Sequence, residues 1–97
     1  MIARVVRFQV NVDKLNEVKK SFDKGVFPAV KHQKGYRNGY LLTDRKTGNC
    51  ISLAFWNTEH DALADEQSGR FQERVNIIKQ FSVAPPVREL YEVASKD

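Results

Sequence analysis

Apolar and polar residues alternate at the beginning of the chain, and this period of two is the pattern of a β-strand. We predict a first strand over residues 2–11, in which successive side chains point to opposite faces of a sheet. The residues on one face are Ile2, Val6, Phe8 and Val10, and those on the other are Ala3, Val5, Arg7 and Gln9. The alternation differs from the continuous apolar run of a secretory signal peptide, so no such peptide is expected here.

The next segment has a spacing of three and four residues between apolar positions, which is typical of a helix with one buried face. Asp13 is placed to cap this helix. The apolar stripe consists of Leu15, Val18, Phe22, Val26 and Val30. Proline removes a backbone hydrogen bond within a helix, so we predict a bend over residues 24–28, around Gly25 and Pro28. Gly35 is expected to end the element.

A β-hairpin is predicted by the segment YRNGYLLTDRKTGNCISLAFW, in which two apolar runs flank a polar loop that ends in a glycine. If Asp44 pairs with Asn49, the facing pairs are Leu42 with Ile51, Tyr40 with Leu53 and Asn38 with Phe55. One surface then carries Tyr36, Asn38, Tyr40, Leu42, Ile51, Leu53 and Phe55. The other carries Arg37, Gly39, Leu41, Thr43, Cys50, Ser52, Ala54 and Trp56. A shift of one residue would scramble this assignment.

A second helical region follows the hairpin, and a last strand closes the chain. Thr58 is placed to cap the helix, and Ser68-Gly69 interrupts it. A second apolar stripe is formed by Phe71, Val75 and Ile78. The segment VAPP ends the helix, and VRELYEV alternates as a strand. The order is βαββαβ, which predicts a ferredoxin-like α+β fold with a four-stranded antiparallel sheet in one domain, residues 1–97.

Both surfaces of the predicted hairpin are largely apolar, although two helices can cover only one face of such a sheet. A monomer rarely leaves an apolar patch of several hundred Å² in water. A second copy of the sheet is the simplest cover, so we predict a homodimer through the face that bears Tyr40, Leu53 and Phe55. Tyr36 is expected to lie in the same interface.

Composition and charge exclude several classes of protein. The 97 residues are 41% hydrophobic and 29% charged, too apolar for disorder, and no apolar run reaches membrane-spanning length. The net charge is +4, and the basic residues alternate with acidic ones and form no basic block, so no nucleic acid is expected as a partner. The segment KGYRNGYLL is similar to a strand motif of RNA-recognition modules, which keeps an RNA-binding module as a remote alternative. The single cysteine, Cys50, favours a reducing, cytoplasmic setting.

The chain contains, in this order, a strand, a helix, a D-x-x-T-G hairpin, a third strand that ends on FW, a capped helix and a final ELYEV strand. Together these features resemble the antibiotic-biosynthesis monooxygenase family. The resemblance implies a dimeric α+β barrel with a pocket between the sheet and the helices of each subunit. Members of that family include cofactor-free monooxygenases of aromatic substrates and haem-degrading enzymes. The positions that would match the haem-degrading motif hold Arg7, Asp65 and Val75, so haem degradation is not expected.

The resemblance also implies candidate ligand-binding residues. Trp56 matches a tryptophan that ends the third strand, and Ser52 stands where the family oxygenases have an asparagine. Arg7 is the charged residue predicted on an inner strand face, where a charge needs a partner or a wet cavity. It could stabilise an enolate or phenolate, or it could lie at a strand edge open to water. For Trp56, a purely structural role as a core aromatic stays open. We predict a pocket lined by Trp56, Ser52 and Arg7.

Two functions follow from this pocket: cofactor-independent oxygenation of a small phenol- or quinol-type aromatic, or non-catalytic binding of a similar molecule. An electron-rich anion can react with oxygen in a dry aromatic site without a cofactor. His32 and His60 are widely separated, and glycine-rich phosphate loops are missing. We therefore expect neither a metal nor a tightly bound organic cofactor.

Overall fold

The computed structural model describes residues 1–97 and contains one antiparallel sheet and four α-helices. The strands are β1 (Ile2–Gln9), β2 (Tyr36–Thr43), β3 (Asn49–Trp56) and β4 (Val87–Glu92). The helices are α1 (Leu15–Ser21), α2 (Phe27–Val30), α3 (Glu59–Gln67) and α4 (Arg70–Lys79). The strand order is β2-β3-β1-β4. This arrangement confirms the predicted ferredoxin-like α+β fold.

The hairpin pairs as predicted from its turn. The amide of Asp44 donates to the carbonyl of Asn49 at 2.8 Å, and Leu42 faces Ile51. Gly48 has a φ of 78°, which a residue with a side chain rarely adopts. A Cβ at this glycine would lie 1.9 Å from the carbonyl oxygen of Val10. Gly48 therefore allows the tight turn and also the close approach of the end of β1.

A β-bulge at the start of β2 changes the face on which Tyr36 lies. The register shifts between Tyr36 and Asn38, so that Tyr36 pairs with Trp56. The two rings meet edge to face, with 5.6 Å between their centroids. The prediction of Tyr36 on the face opposite Trp56 is wrong, because the extra residue Arg37 reverses the alternation before it.

The predicted bend in the first helical region takes the form of a π-helical turn, Phe22–Val26, between α1 and α2. The amide of Phe27 donates to the carbonyl of Phe22, five residues earlier. Pro28 is the second residue of α2, directly after this turn, and it has no backbone N–H to donate. The π-helical turn thus lets the apolar stripe of the helix continue beyond Pro28.

The core lies between one face of the sheet and the helices. Its main cluster is formed by Val6, Phe8, Val10, Val18, Phe22, Val26, Cys50 and Ile78. A second cluster joins Trp56 to Val30 and Ala62 at the end of β3. Thr58 caps α3 by accepting a hydrogen bond from the amide of Asp61 at 3.1 Å, as predicted. The two helical regions, before and after the hairpin, therefore pack on the same face of the sheet.

The other face of the sheet carries exposed apolar side chains. The most exposed of them are Tyr40, Leu42, Val87 and Tyr91. Tyr40 packs edge to face on Phe55, with 6.4 Å between the ring centroids. The homodimer predicted through this face stays a prediction. None of the helices has the length and apolar character needed to cross a membrane.

Candidate functional site

A small cavity of about 30 Å³ lies between the sheet and the helices. Most of its walls are apolar or aromatic, and Val26, Phe27, Val30 and Phe71 belong to them. The polar residues that line it are Arg4, Tyr36, Ser52 and Arg74. An apolar cavity with a few convergent polar groups is the usual form of a small-molecule site.

Arg4 brings a charge into this cavity from the middle of β1. It belongs to the same row of alternate residues as Val6 and Phe8, so its side chain lies beneath the helices. Only 3% of the residue is exposed. Arg4 is not among the residues predicted from the sequence to line the pocket, although a charge within an apolar row was the available signal. A buried charge of this kind needs a partner, because water no longer solvates it.

Asp65 of α3 provides that partner and also binds Arg74 of α4. The Nη2 atom of Arg4 donates to Oδ2 of Asp65 at 2.8 Å, and Arg74 Nη2 donates to the same oxygen. Arg4 also donates to the carbonyl of Ala62 and to Glu66, each at 3.2 Å. Glu66 is shared with the more exposed Arg88, at 2.8 Å. The ion cluster therefore links β1, α3 and α4 at the wall of the cavity, which Arg4 and Arg74 line.

Positive charge and hydrogen-bond donors are in excess in this cluster. Arg4, Asp65 and Arg74 are all buried, and two guanidinium groups share one carboxylate. Nη1 of Arg74 and Nε1 of Trp56 are buried donors without a hydrogen-bond partner in the chain, and Oδ1 of Asp65 is the one buried acceptor that also lacks a partner. A buried donor left unpaired costs about 1–3 kcal/mol. An oxygen anion near Arg74 would offset both the charge and the unpaired donor.

Aromatic rings surround the guanidinium of Arg4. Its Cζ atom lies 4.2 Å from the centroid of the Phe71 ring and 4.9 Å from that of Trp56. Cation–π contacts of this kind stabilise a desolvated arginine. Burial lowers the pKa of Arg4, and its hydrogen bond to Asp65 acts in the opposite direction. Burial raises the pKa of the Tyr36 hydroxyl, and the charge of Arg74 partly offsets that rise.

The three residues predicted to line the pocket have different positions. Ser52 lines the cavity. Trp56 has no exposed surface and lies behind the cavity, in contact with the lining residues Tyr36 and Arg4. Arg7 lies on the opposite face of the sheet, where its Nε donates to Glu89 at 2.6 Å. The prediction that Arg7 lines the pocket is wrong. Side chains alternate along β1, and it is Arg4, three residues earlier, whose side chain points toward the helices.

The chain contains no group of three or more histidine, cysteine or acidic side chains close enough to hold a metal ion. Burial raises the pKa of the Cys50 thiol, which makes this cysteine a poor nucleophile. The chemically distinctive groups of the core are therefore the guanidinium groups of Arg4 and Arg74 beside aromatic walls.

No protein-family profile and no curated relative matches the sequence. Solved structures do match its fold. A monooxygenase of Streptomyces coelicolor, from the gene ActVA-Orf6 and in complex with nanaomycin D, is 14% identical; the match has a TM-score of 0.84 and covers 99% of this chain and 89% of that one. SnoaB of Streptomyces nogalater, a cofactor-independent oxygenase, is 15% identical with a TM-score of 0.74, covering 98% and 94%. Rv0793 of Mycobacterium tuberculosis is 13% identical with a TM-score of 0.75, covering 98% and 96%.

These matches extend over nearly the whole chain, and they confirm at the level of the fold the resemblance drawn from the sequence. At such low identities they describe the fold alone, because one fold supports many functions. What the site does must therefore be argued from its own residues.

Proposed function

We propose that this chain, which has the fold of the antibiotic-biosynthesis monooxygenases, binds a small phenol- or quinol-type aromatic between its sheet and its helices and oxygenates it without a cofactor. The observation that carries the proposal is the buried surplus of positive charge in the cavity wall, where Arg74 has an unpaired donor. The aromatic rings of Phe71 and Tyr36 border the same cavity. A charged donor beside aromatic walls suits a flat ligand with an ionised oxygen.

Two of the proteins with matching structures support this choice of chemistry. The Streptomyces coelicolor protein is a monooxygenase in complex with nanaomycin D, and SnoaB is a cofactor-independent oxygenase. Molecular oxygen is the co-substrate in the proposed reaction. With an anthrone, the methylene carbon loses two hydrogen atoms and gains one oxygen atom as a carbonyl. The second oxygen atom leaves as water with those two hydrogens, and the carbon supplies the four electrons that reduce dioxygen.

The residues of the chain need only prepare the substrate for this reaction. A guanidinium near the substrate oxygen lowers the pKa of the bound phenol or enol and so favours the electron-rich anion. Arg74 takes this role, in place of the Arg7 predicted from the sequence, and Arg4 adds its charge from β1. Ser52 is a further candidate donor. The apolar walls keep water away from the reacting carbon.

The proposal has a rival in non-catalytic binding, which is favoured by Ser52 at the place of the family asparagine. A serine hydroxyl cannot offer the paired donor and acceptor of an amide. Oxygen uptake separates the two functions. A panel of hydroquinones and anthrones is tested with the wild type, Arg74→Lys and the control Arg70→Lys, which changes an exposed arginine on the same helix.

We expect oxygen uptake above background in the wild type, at least a tenfold loss of kcat/KM in Arg74→Lys, and no change in Arg70→Lys. Lysine keeps the charge but loses the forked donors of arginine. Binding without oxygen uptake would establish the rival function. If neither binding nor uptake is found with any compound of the panel, both functions are wrong.

The proposed assembly is a homodimer in which the exposed face of the sheet meets its counterpart. Tyr40 and Leu42 on β2 and Val87 and Tyr91 on β4 leave large apolar side chains in water on that face. A stable interface of standard size buries roughly 800 Å² on each partner. A reducing, cytoplasmic location, suggested by the single buried Cys50, is part of the same proposal.

A further inference from the structure

The inner cavity is too small for the ligand class proposed above. Its volume is about 30 Å³, whereas a cavity that takes up benzene in an engineered protein measures roughly 150 Å³. An aromatic ligand must therefore occupy additional space, and a wall of the cavity must give way. The residues that the cavity shares with a neighbouring surface groove identify that wall.

An open groove of about 410 Å³ lies directly outside the cavity, between α1 with its π-helical turn and the edge strand β2. This volume is within the range of small-molecule sites, roughly 300–1,000 Å³. Leu15, Leu41 and Tyr40 contribute apolar surface to it. Lys19 and Arg45 bring two positive charges, and Asp23, which pairs with Lys19 at 2.6 Å, brings one negative charge.

Two residues, Phe27 and Gly39, line both the groove and the cavity. They also meet each other. A Cβ placed on Gly39 would lie 3.3 Å from Cε1 of Phe27 and 2.5 Å from the hydroxyl oxygen of Tyr36. The partition, meaning the wall that separates the groove from the cavity, therefore consists of the Phe27 ring and of Gly39, which has no side chain. Phe27 is only partly buried, at the start of α2, so rotation of its side chain can open the partition.

A second open cleft, of about 830 Å³, shares only Tyr36 with the cavity. The Tyr36 ring is packed against Trp56, and its hydroxyl lies over Gly39. A path past Tyr36 would break the contact with the fully buried Trp56. A path past Phe27 breaks the edge-to-face contact of that ring with Phe22, at 5.5 Å between the centroids, and leaves Trp56 in place. The second cleft is thus the poorer entrance.

We propose that the groove is the outer part of the ligand site and that the ligand enters between Phe27 and Gly39. This inference rests on the proposed function of the inner cavity. The ring with the ionised oxygen takes the inner position near Arg74, and further rings or acidic substituents lie in the groove beside Arg45. The side chains at positions 27 and 39 set the size of ligand that can pass.

Trp56 is the only tryptophan of the chain and touches two residues of the cavity wall, so its fluorescence reports binding. The probes are 1-naphthol and 1,8-dihydroxyanthrone, titrated in the absence of oxygen, with calorimetry as a second readout. Gly39→Ala places a methyl group in the passage. Its control is Gly25→Ala, whose added Cβ would meet nothing closer than Ile77 Cδ1 at 3.6 Å.

Phe27→Ala removes the movable ring, and its control is Phe81→Ala, which removes a ring that packs on the same core but lines neither groove nor cavity. We expect Gly39→Ala to weaken binding of the three-ring probe at least tenfold, and Gly25→Ala to stay within twofold of the wild type. Phe27→Ala should raise the association rate several-fold, which Phe81→Ala should not do. Thermal melting establishes that each variant is folded.

If the wild type binds the probes and Arg74→Lys weakens binding, but Gly39→Ala and Phe27→Ala bind with wild-type affinity and rate, the entrance is wrong and the proposed function stands. If no probe binds the wild type, the proposed function fails together with this inference. Should Gly39→Ala fail to fold, the association rate of Phe27→Ala by itself decides: a rate equal to that of the wild type overturns the entrance.

Discussion

Arg4 and Asp65 form a buried ion pair, with 2.8 Å between Nη2 and Oδ2, that joins the first strand to α3 across 61 positions of the chain. Their side chains are 3% and 1% exposed. Arg74 binds the same oxygen from α4, so the carboxylate of Asp65 orients both guanidinium groups of the proposed site. The ion pair therefore stabilises the core and also helps to fix the geometry of the proposed ligand site.

The first prediction concerns this carboxylate. Asp65→Asn keeps the shape of the side chain but leaves two buried guanidinium groups with only Glu66 as an acidic partner. Breaking a buried ion pair from one side costs about 3–5 kcal/mol, so we expect a loss of that size in the free energy of unfolding, measured with urea. Glu66→Gln, at a partly exposed carboxylate, should cost about 1 kcal/mol or less. A loss below about 1 kcal/mol for Asp65→Asn would contradict the role assigned to it.

The second prediction concerns the dimer. Leu53 lies on the open face of the sheet, opposite Tyr40 in β2 and Val5 in β1. Leu53→Arg would bury an unpaired charge in the proposed interface, so sedimentation should show a dimer for the wild type and a monomer for the variant. Val12→Arg, at an exposed apolar residue outside the sheet, serves as the control and should stay dimeric. A monomeric wild type at micromolar concentration would refute the predicted dimer.

The third prediction concerns Cys50. The residue is 2% exposed, and burial raises the pKa of its thiol. The thiolate is the reactive form, so iodoacetamide at pH 8 should leave the folded protein unmodified and should alkylate the urea-unfolded chain completely. Mass spectrometry measures both states. Rapid modification of the folded protein would show that the core around β3 opens readily.

The fourth prediction concerns Glu89. Hydrogen bonds from Tyr91 and Arg7 hold the pKa of Glu89 below its ordinary value of 4.5. A carboxylate with a lowered pKa in the folded state contributes stability above its unfolded pKa and loses it as the pH falls through the folded pKa. Glu89→Gln should therefore be less stable than the wild type at pH 7, and the difference should vanish once the pH falls below the folded-state pKa of Glu89. A pH-independent difference for Glu89→Gln would contradict the prediction.

The period-two and helical patterns were sufficient for the order of the elements and for the hairpin, because the turn at Gly48 fixes which residues face each other. They failed at Tyr36, since a one-residue bulge leaves no mark in the alternation of the sequence. They also led to the wrong prediction that Arg7 lines the pocket, because alternation shows which residues of β1 share a face but not which face lies beneath the helices. The partner of Arg4 is 61 positions away, and only the folded chain shows that Asp65 and Arg74 compensate a charge beneath the helices.

A crystal structure of the protein grown with 1,8-dihydroxyanthrone in the absence of oxygen would locate the ligand itself. We expect its ring between the sheet and the helices, with an oxygen atom within hydrogen-bond distance of Nη1 of Arg74 and the Phe27 ring turned away from Gly39. Density for the ligand only on the open sheet face near Tyr40 and Phe55, or a cavity that holds nothing but water, would contradict the proposed site.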